Sequence, residues 1–314
     1  MIFGEIGQVT NDLHVLGLSW TPSYLLCGLK PVLFEAGFSC LGKLYVDDAK
    51  RILKDRPPEM LFLTHVHYDH CGAVSYFKKN FPSIRIAASS RAAEIIQRPN
   101  AQKLIKELSE KVILCVAKVP GIHVEDLLYE PFEPFNVDIV LENGQVIQIS
   151  DELSVRVMAV PGHTRDLLAY YIPERKTLFA TESVGNLDRI GQVNTEFLVD
   201  YELYLKNIRF ICNYLEVNVL CLGHQFVISG VDVATFLSRS MNAAEHFKKR
   251  IEDLLFEESG NLDQVEMRMK AEEYDINPGP KQLEKEYLIN LTARVKHLAS
   301  AFVKCNVQGI ATQK

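Results

Sequence analysis

The chain is 314 residues long, 47% hydrophobic, and carries a formal net charge of −6. That length suits one large domain, or a domain with an extension, with ample apolar material for a core; the acidic balance lacks the positive field that nucleic acid or an anionic membrane surface attracts. The cysteines (Cys27, Cys40, Cys71, Cys115, Cys212, Cys221 and Cys305) are odd in number, scattered and without a C-x-x-C pair, which suits a reducing cytoplasm better than a disulfide framework.

The N-terminal stretch has no basic segment followed by a long apolar core, and no apolar run reaches the ~20 residues of a membrane span, so a cytoplasmic protein without a membrane partner is expected. Short apolar runs at Leu13 to Gly17, Tyr24 to Cys27 and Val32 to Phe34, punctuated by Pro22, Gly28 and Gly37, predict meandering strands. A helix follows near Lys43 to Lys54, then a strand at Met60 to Leu63, a helix from Ala73 to Lys79, and a strand at Ile84 to Ala88. Helices are expected near Arg91 to Gln97 and Ala101 to Leu108. Pro120, Pro131 and Pro134 predict loop with short pieces of structure across residues 110 to 136.

A second strand-rich half follows at Val137 to Leu141, Val146 to Ile149, Leu153 to Val160, Leu168 to Ile172 and Thr177 to Ala180. A helix over Tyr201 to Leu215 and a strand over Val217 to Leu222 complete it. Two groups of strands with helices outside predict an α/β (α+β) fold, an αββα sandwich of four layers. From Val231 the pattern changes to apolar residues three and four apart, Val233 to Leu254 and Leu288 to Phe302, which predicts long helices with packing faces. They are joined through a helical Asp263 to Glu273 and the turn Asn277-Pro278-Gly279-Pro280. The expected division is a catalytic domain over 1–229 and a helical extension over 230–314.

The chemistry concentrates directly behind the apolar run Met60 to Thr64, in His65-Val66-His67-Tyr68-Asp69-His70. On an extended turn His65 and His67 point the same way and can grip one ion, while Asp69 and His70, one turn later, aim at a second. At this histidine and aspartate content the pattern H-x-H-x-D-H arises by chance with a probability on the order of a few in ten thousand, well below ordinary motif noise. Metal sites built on sheets draw ligands from several strand ends, and three more apolar strands finish in a ligand-type residue: His163 after Pro161-Gly162, Glu182 after Ala180-Thr181, and His224 after Leu222-Gly223. The neighbouring Cys71 fits a packing role in the first turn of a helix, and Asp166 is placed either to orient a ligand histidine or as a solvated turn carboxylate.

In order and separation, T-H-V-H-Y-D-H-C-G, V-P-G-H-T, L-F-A-T-E-S and L-G-H resemble the successive motifs of the metallo-β-lactamase superfamily over residues 5 to 230. Within it, the H-Y-D-H-C-G motif, Phe34-Glu35-Ala36-Gly37, the segment Leu187 to Tyr204 and the helical C-terminus are most similar to the branch of quinolone-signal-response thioesterases. The resemblance implies His65, His67 and His163 on one metal, Asp69, His70 and His224 on the other, and Glu182 in the bridging position, where relatives usually carry Asp. It also implies a C-terminal extension packed over the site entrance.

Imidazole and carboxylate ligands suit two divalent transition-metal ions, Zn or Fe, with Mn a further candidate. Water between two cations has its pKa lowered towards ~7 and supplies hydroxide as nucleophile; Asp69 is the expected catalytic residue, holding that water and passing its proton to the leaving group. The expectation is a hydrolase of an acyl thioester or related ester with a small-molecule substrate. A glyoxalase-II-like reaction shares that chemistry, but the basic residues its thiol carrier needs are not evident. The alternatives are phosphodiester hydrolysis, or a regulatory protein that keeps the metal fold and acts through a partner; a homodimer stays open.

Overall fold

A computed structural model describes residues 1–188, 190–277 and 282–311, with side chains of the last helix through Phe302. Beyond Asn277 the expected Pro-Gly-Pro turn lies outside the described residues. The protein divides into two compact units, the first comprising Met1–Val160, Asp166–Thr181 and Glu216–Val233, the second Pro161–Arg165, Glu182–Leu215 and the residues from Ala234 on.

The first unit holds two seven-stranded sheets. One runs in the order Gly7–Gln8, Leu13–Leu16, Ser23–Leu26, Val32–Phe34, Met60–Phe62, Arg85–Ser89 and Ile139–Leu141, antiparallel as far as Val32–Phe34 and parallel beyond it. Side chains along these strands alternate between two cores, as the two-residue repeat of a strand requires. Leu25, Leu33, Leu61 and Ile86 join an outer cluster with Tyr45, Val46, Phe77 and Ile96 of the covering helices. Tyr24, Phe34, Phe62 and Ala87 face the other way, into a core shared with Val157, Tyr170, Phe179 and Val219 of the second sheet. Phe34 stacks on Phe179 across this interior, ring centroids 3.8 Å apart. The sandwich is thereby closed by aromatic packing between two sheets.

The second sheet runs Ile2–Phe3, Val227–Ser229, Val219–Cys221, Thr177–Phe179, Leu168–Ile172, Ser154–Ala159 and Val146–Gln148. Three features differ from the sequence expectation. Ile139–Leu141 belongs to the first sheet, parallel to Arg85–Ser89, instead of opening the second strand group. The N-terminal Ile2–Phe3 pairs with Val227 and Ile228, more than two hundred residues away in sequence. The helix expected to end near Leu108 runs from Pro99 to Val116, because Ile105, Ser109, Val112 and Val116 recur on one buried face.

The second unit contains a short hairpin, Asn186–Leu187 with Val193–Asn194, and the helices Tyr201–Tyr214, Leu262–Lys270 and Glu284–Ala311. Most of the helix Val231–Glu257 also belongs to it. The expected apolar stripes are buried, among them Phe247, Ile251, Leu254, Leu291, Val295 and Leu298. Among the described residues, no helix is long and apolar enough to cross a membrane.

Candidate metal centre

The turn that carries the histidines is anchored residue by residue to the first unit. Leu63 O accepts from the Tyr170 hydroxyl at 2.5 Å and Thr64 O from the Leu168 amide at 2.9 Å. The Thr64 amide donates to Glu35 Oε1 at 2.8 Å and the Val66 amide to Asp166 Oδ2 at 3.0 Å. Asp166 thus holds the turn's backbone and not a ligand imidazole. Beyond the turn, Asp69 O accepts from the Thr21 hydroxyl at 2.5 Å and His70 O from the Ala36 amide at 2.8 Å. Gly72 closes the short helix Tyr68–Cys71, where an added Cβ would lie 2.5 Å from Ser39 N and 2.6 Å from Tyr68 O, so only glycine fits. Cys71 is fully buried, the packing residue expected, and burial pushes its thiol pKa well up.

This anchoring brings five of the predicted ligands together inside the first unit. The rings of His65 and His67 lie 4.5 Å apart, centroid to centroid, and those of His65 and His70 4.3 Å. Asp69, His70 and His224 each offer one ligand atom, all within 4.8 Å of one another. Asp69 Oδ2 sits 3.8 Å from His70 Nε2 and 3.6 Å from His224 Nε2. His65 and His70 are buried, whereas the side chains of Asp69 and His224 keep 17% and 27% of their surface exposed to solvent.

The imidazoles are set for ligation by what their other nitrogens do. His70 Nδ1 donates to Glu35 Oε2 at 2.7 Å, and His224 Nδ1 to Trp20 O at 2.6 Å. In a neutral ring a proton held at Nδ1 places the lone pair on Nε2, one of the two nitrogens through which histidines bind metals. The donor set, neutral imidazole with carboxylate, fits a divalent transition ion. Glu35 sits close to His65 and His70, with Oε1 accepting from the Thr64 amide and Oε2 from His70 Nδ1, so it orients the His70 ring.

His163 and Glu182 belong to the second unit and are both buried. The loop Pro161–Arg165 leaves the first unit at Val160 and returns to it at Asp166, the residue bonded to the Val66 amide. Gly162 has φ 147°, and an added Cβ would lie 2.7 Å from Tyr204 Cα. Its carbonyl accepts from the amides of Leu198 and Val199, each at 3.0 Å. His163 Nδ1 donates to Glu196 O at 2.5 Å, again reserving Nε2. Glu182 follows Thr181, whose φ is 45° and whose hydroxyl donates to Thr64 Oγ1 at 3.4 Å. Glu35 and Gln225 hold φ of 65° as well, so three strained non-glycine residues adjoin the ligand-bearing segments.

Sequence reasoning found Glu35 only through the family resemblance. The signal was present: Glu35 ends the apolar strand Val32–Phe34, the same pattern that singled out His163, Glu182 and His224. Thr21 and Trp20 carried no such signal, since their roles arise from a loop brought in by the fold.

Residues 21–224 match the family model of the metallo-beta-lactamase superfamily. Acyl-coenzyme A thioesterase MBLAC2 of Bos taurus is 29% identical over 144 residues, 46% of this chain and 48% of that protein. A hydroxyacylglutathione hydrolase of Mesorhizobium japonicum is 25% identical over 197 residues, 63% of this chain and 60% of the relative. The match thus spans about half the length of the curated thioesterase. An archaeal metallo-beta-lactamase superfamily protein of known structure, from Sulfolobus tokodaii, superposes with a TM-score of 0.59 at 19% identity, covering 93% of this chain and all of that one. With the family model spanning well over half of the sequence, and the two-sheet fold and its histidine turn agreeing with it, the chain belongs to the metallo-beta-lactamase superfamily.

Proposed function

We propose that this superfamily member is a metal-dependent hydrolase of acyl thioesters or related esters, with a small molecule as substrate. The observation that carries the reading is the set of Nδ1 anchors: Glu35, Trp20 O and Glu196 O each hold one ring proton, so His70, His224 and His163 all reserve Nε2 for ligation. The proposed ligands are His65, His67, Asp69, His70, His163, Glu182 and His224, and two ions is the proposed stoichiometry. Divalent ions bound by them would supply Lewis acidity and lower the pKa of a bound water towards ~7.

The protein's own residues do the rest. Asp69 is the one carboxylate of the turn with part of its surface open, and Oδ2 is within 4 Å of two ligand nitrogens; in this position it orients a water and takes its proton for the leaving group. The Thr21 hydroxyl on Asp69 O and the Glu35 carboxylate on the Thr64 amide keep the turn from relaxing when charge develops. The thioester preference rests on the relatives: one is named for acyl-coenzyme A, the other for an acylglutathione, both acyl groups on a thiol carrier.

The test is turnover by metal-loaded protein of a panel comprising acyl-CoA, acyl-glutathione, lactone and phosphodiester substrates, with Asp69→Asn alongside. Thioester hydrolysis that exceeds the other activities and is lost in Asp69→Asn is expected. Turnover of the phosphodiester alone would overturn the reading, and so would a thioesterase activity that Asp69→Asn leaves intact.

A further inference from the structure

Arg294 lies on the helix Glu284–Ala311, outside the segment matched by the family model, yet it is only 7% exposed. Long cationic side chains are almost never buried this far unless a partner holds them. The guanidinium stands over the Phe247 ring, 4.6 Å from its centroid, and Nη2 is 3.8 Å from Glu273 Oε2. Its direct hydrogen bond goes to a main-chain atom: Nη1 donates to Thr195 O at 3.1 Å.

That carbonyl belongs to the peptide joining Thr195 to Glu196. The amide of the same peptide, Glu196 N, donates to the Tyr204 hydroxyl at 3.2 Å. Both polar ends of one peptide plane are therefore fixed by side chains, a cation at the oxygen and a phenol at the nitrogen. The next carbonyl along, Glu196 O, accepts from His163 Nδ1 at 2.5 Å. Only the φ and ψ of Glu196 separate the clamped peptide plane from this carbonyl. Phe197 continues the segment into a ring cluster with Tyr201, Tyr204 and Phe247.

We propose that Arg294 is a positioning residue for the metal ligand His163, acting through the Thr195–Glu196 peptide that it holds together with Tyr204. A burial-only account explains why an arginine is tolerated there, since its guanidinium stacks on Phe247, but not why its hydrogen bond is spent on the peptide next to the ligand's acceptor. The inference rests on the reading of His163 as a ligand, and metal affinity tests it without reference to any substrate. Partners that orient ligand histidines are worth about 10–100-fold in metal affinity.

The experiment is a double-mutant cycle on the full-length protein, read by competition of zinc with a chromophoric chelator. Arg294→Met, which keeps the bulk and removes the donors, should weaken one zinc equivalent by about tenfold and leave the other unchanged. Arg294→Lys should recover most of that loss, and Tyr204→Phe should weaken the same equivalent. His163→Ala should weaken it further, and in that background Arg294→Met should add less than about twofold, because the clamp then has nothing to orient.

A folded Arg294→Met with both equivalents unchanged overturns the proposal, as does an equal effect with and without His163. If Arg294→Met fails to fold, unaltered zinc affinity in both Arg294→Lys and Tyr204→Phe overturns it. Unaltered zinc binding in His163→Ala overturns the ligand assignment and the clamp together, whereas thioester turnover that fails with the cycle intact overturns only the proposed substrate.

Discussion

Glu35 and His70 face each other in the interior, Oε2 to Nδ1 at 2.7 Å, with their side chains 1% and 2% exposed. This pair fixes the tautomer of His70, because a proton held between Nδ1 and the carboxylate cannot also sit on Nε2. Glu35→Gln turns one oxygen into an amide donor. With that donor facing Nδ1, the imidazole must accept there and protonate Nε2, which blocks ligation. Metal affinity is expected to fall about 10–100-fold, and the metal-free protein to lose about 1–3 kcal/mol from the disturbed buried bond. Zinc titration and urea unfolding of the same variant measure the two effects, and unchanged affinity would refute the tautomer argument.

Asp69→Asn is expected to lower kcat by at least ~10²-fold, since an amide can neither carry the proton nor replace the charge. Asp69 is partly open and its backbone is held independently by Thr21, so the thermal midpoint should stay near that of the parent. A midpoint that collapsed along with kcat would make the loss structural.

Removing divalent ions by chelation should abolish turnover and lower the thermal midpoint. Ions that bind the folded state alone stabilise it by about 4 kcal/mol at a thousandfold excess over Kd. Calorimetry with and without chelator decides the matter; coincident transitions would mean that the folded protein binds no ion.

Gly162→Ala tests the second unit alone. The residue has φ 147°, and the new methyl would press on Tyr204 Cα at 2.7 Å. A cost of about 2–4 kcal/mol is expected, from the backbone conformation together with the clash. Denaturant unfolding gives the value, and a loss below about 0.5 kcal/mol, the scale of an ordinary surface change, would mean that the loop moves aside freely.

Cys40 offers a prediction in pH. Burial pushes its thiol from 9.0 up to about 12. Between those values the unfolded state releases the proton and the folded state keeps it, so this group's contribution to stability falls as pH rises through the window. The unfolding midpoint of Cys40→Ala should decline less over that range than the parent's. Native Cys40 should also resist alkylation at about pH 8, just below the ordinary thiol pKa, until denaturant is added; fast labelling of the folded protein would contradict the burial.

The part of the candidate site legible in the sequence was the part written as consecutive residues or as apolar strands ending in a ligand-type residue: His65 through His70, His224, and the placing of His163 and Glu182 behind their strands. Strand positions in the first sheet were legible for the same reason, since runs such as Val32–Phe34 and Met60–Phe62 are apolar on both faces. What could not be read was pairing between distant segments. Nothing local in Ile2–Phe3 points to Val227–Ser229, and nothing in Ile139–Leu141 says that it lies beside Arg85–Ser89. The helix end at Val116 was missed differently: Pro120, Pro131 and Pro134 drew attention to a loop, although the buried repeat Ile105, Ser109, Val112, Val116 was already in the letters. Asp166 was ambiguous because its partner, a backbone amide at Val66, is invisible to side-chain patterns.

The strand order of the second sheet sets a timetable for synthesis. His224 leaves the strand Val219–Cys221, which is wedged between Thr177–Phe179 and Val227–Ser229, and the last of these takes the N-terminal Ile2–Phe3 as its outer neighbour. Translation at about 5–20 residues per second puts on the order of ten seconds between the emergence of His70 and that of His224. For that interval a nascent polypeptide carries four of the proposed donors on a turn whose capping sheet is still incomplete. The first of these strands to be made, Ile2–Phe3, pairs with Val227–Ser229, so the sheet beside the proposed centre is completed only after residue 229 has emerged.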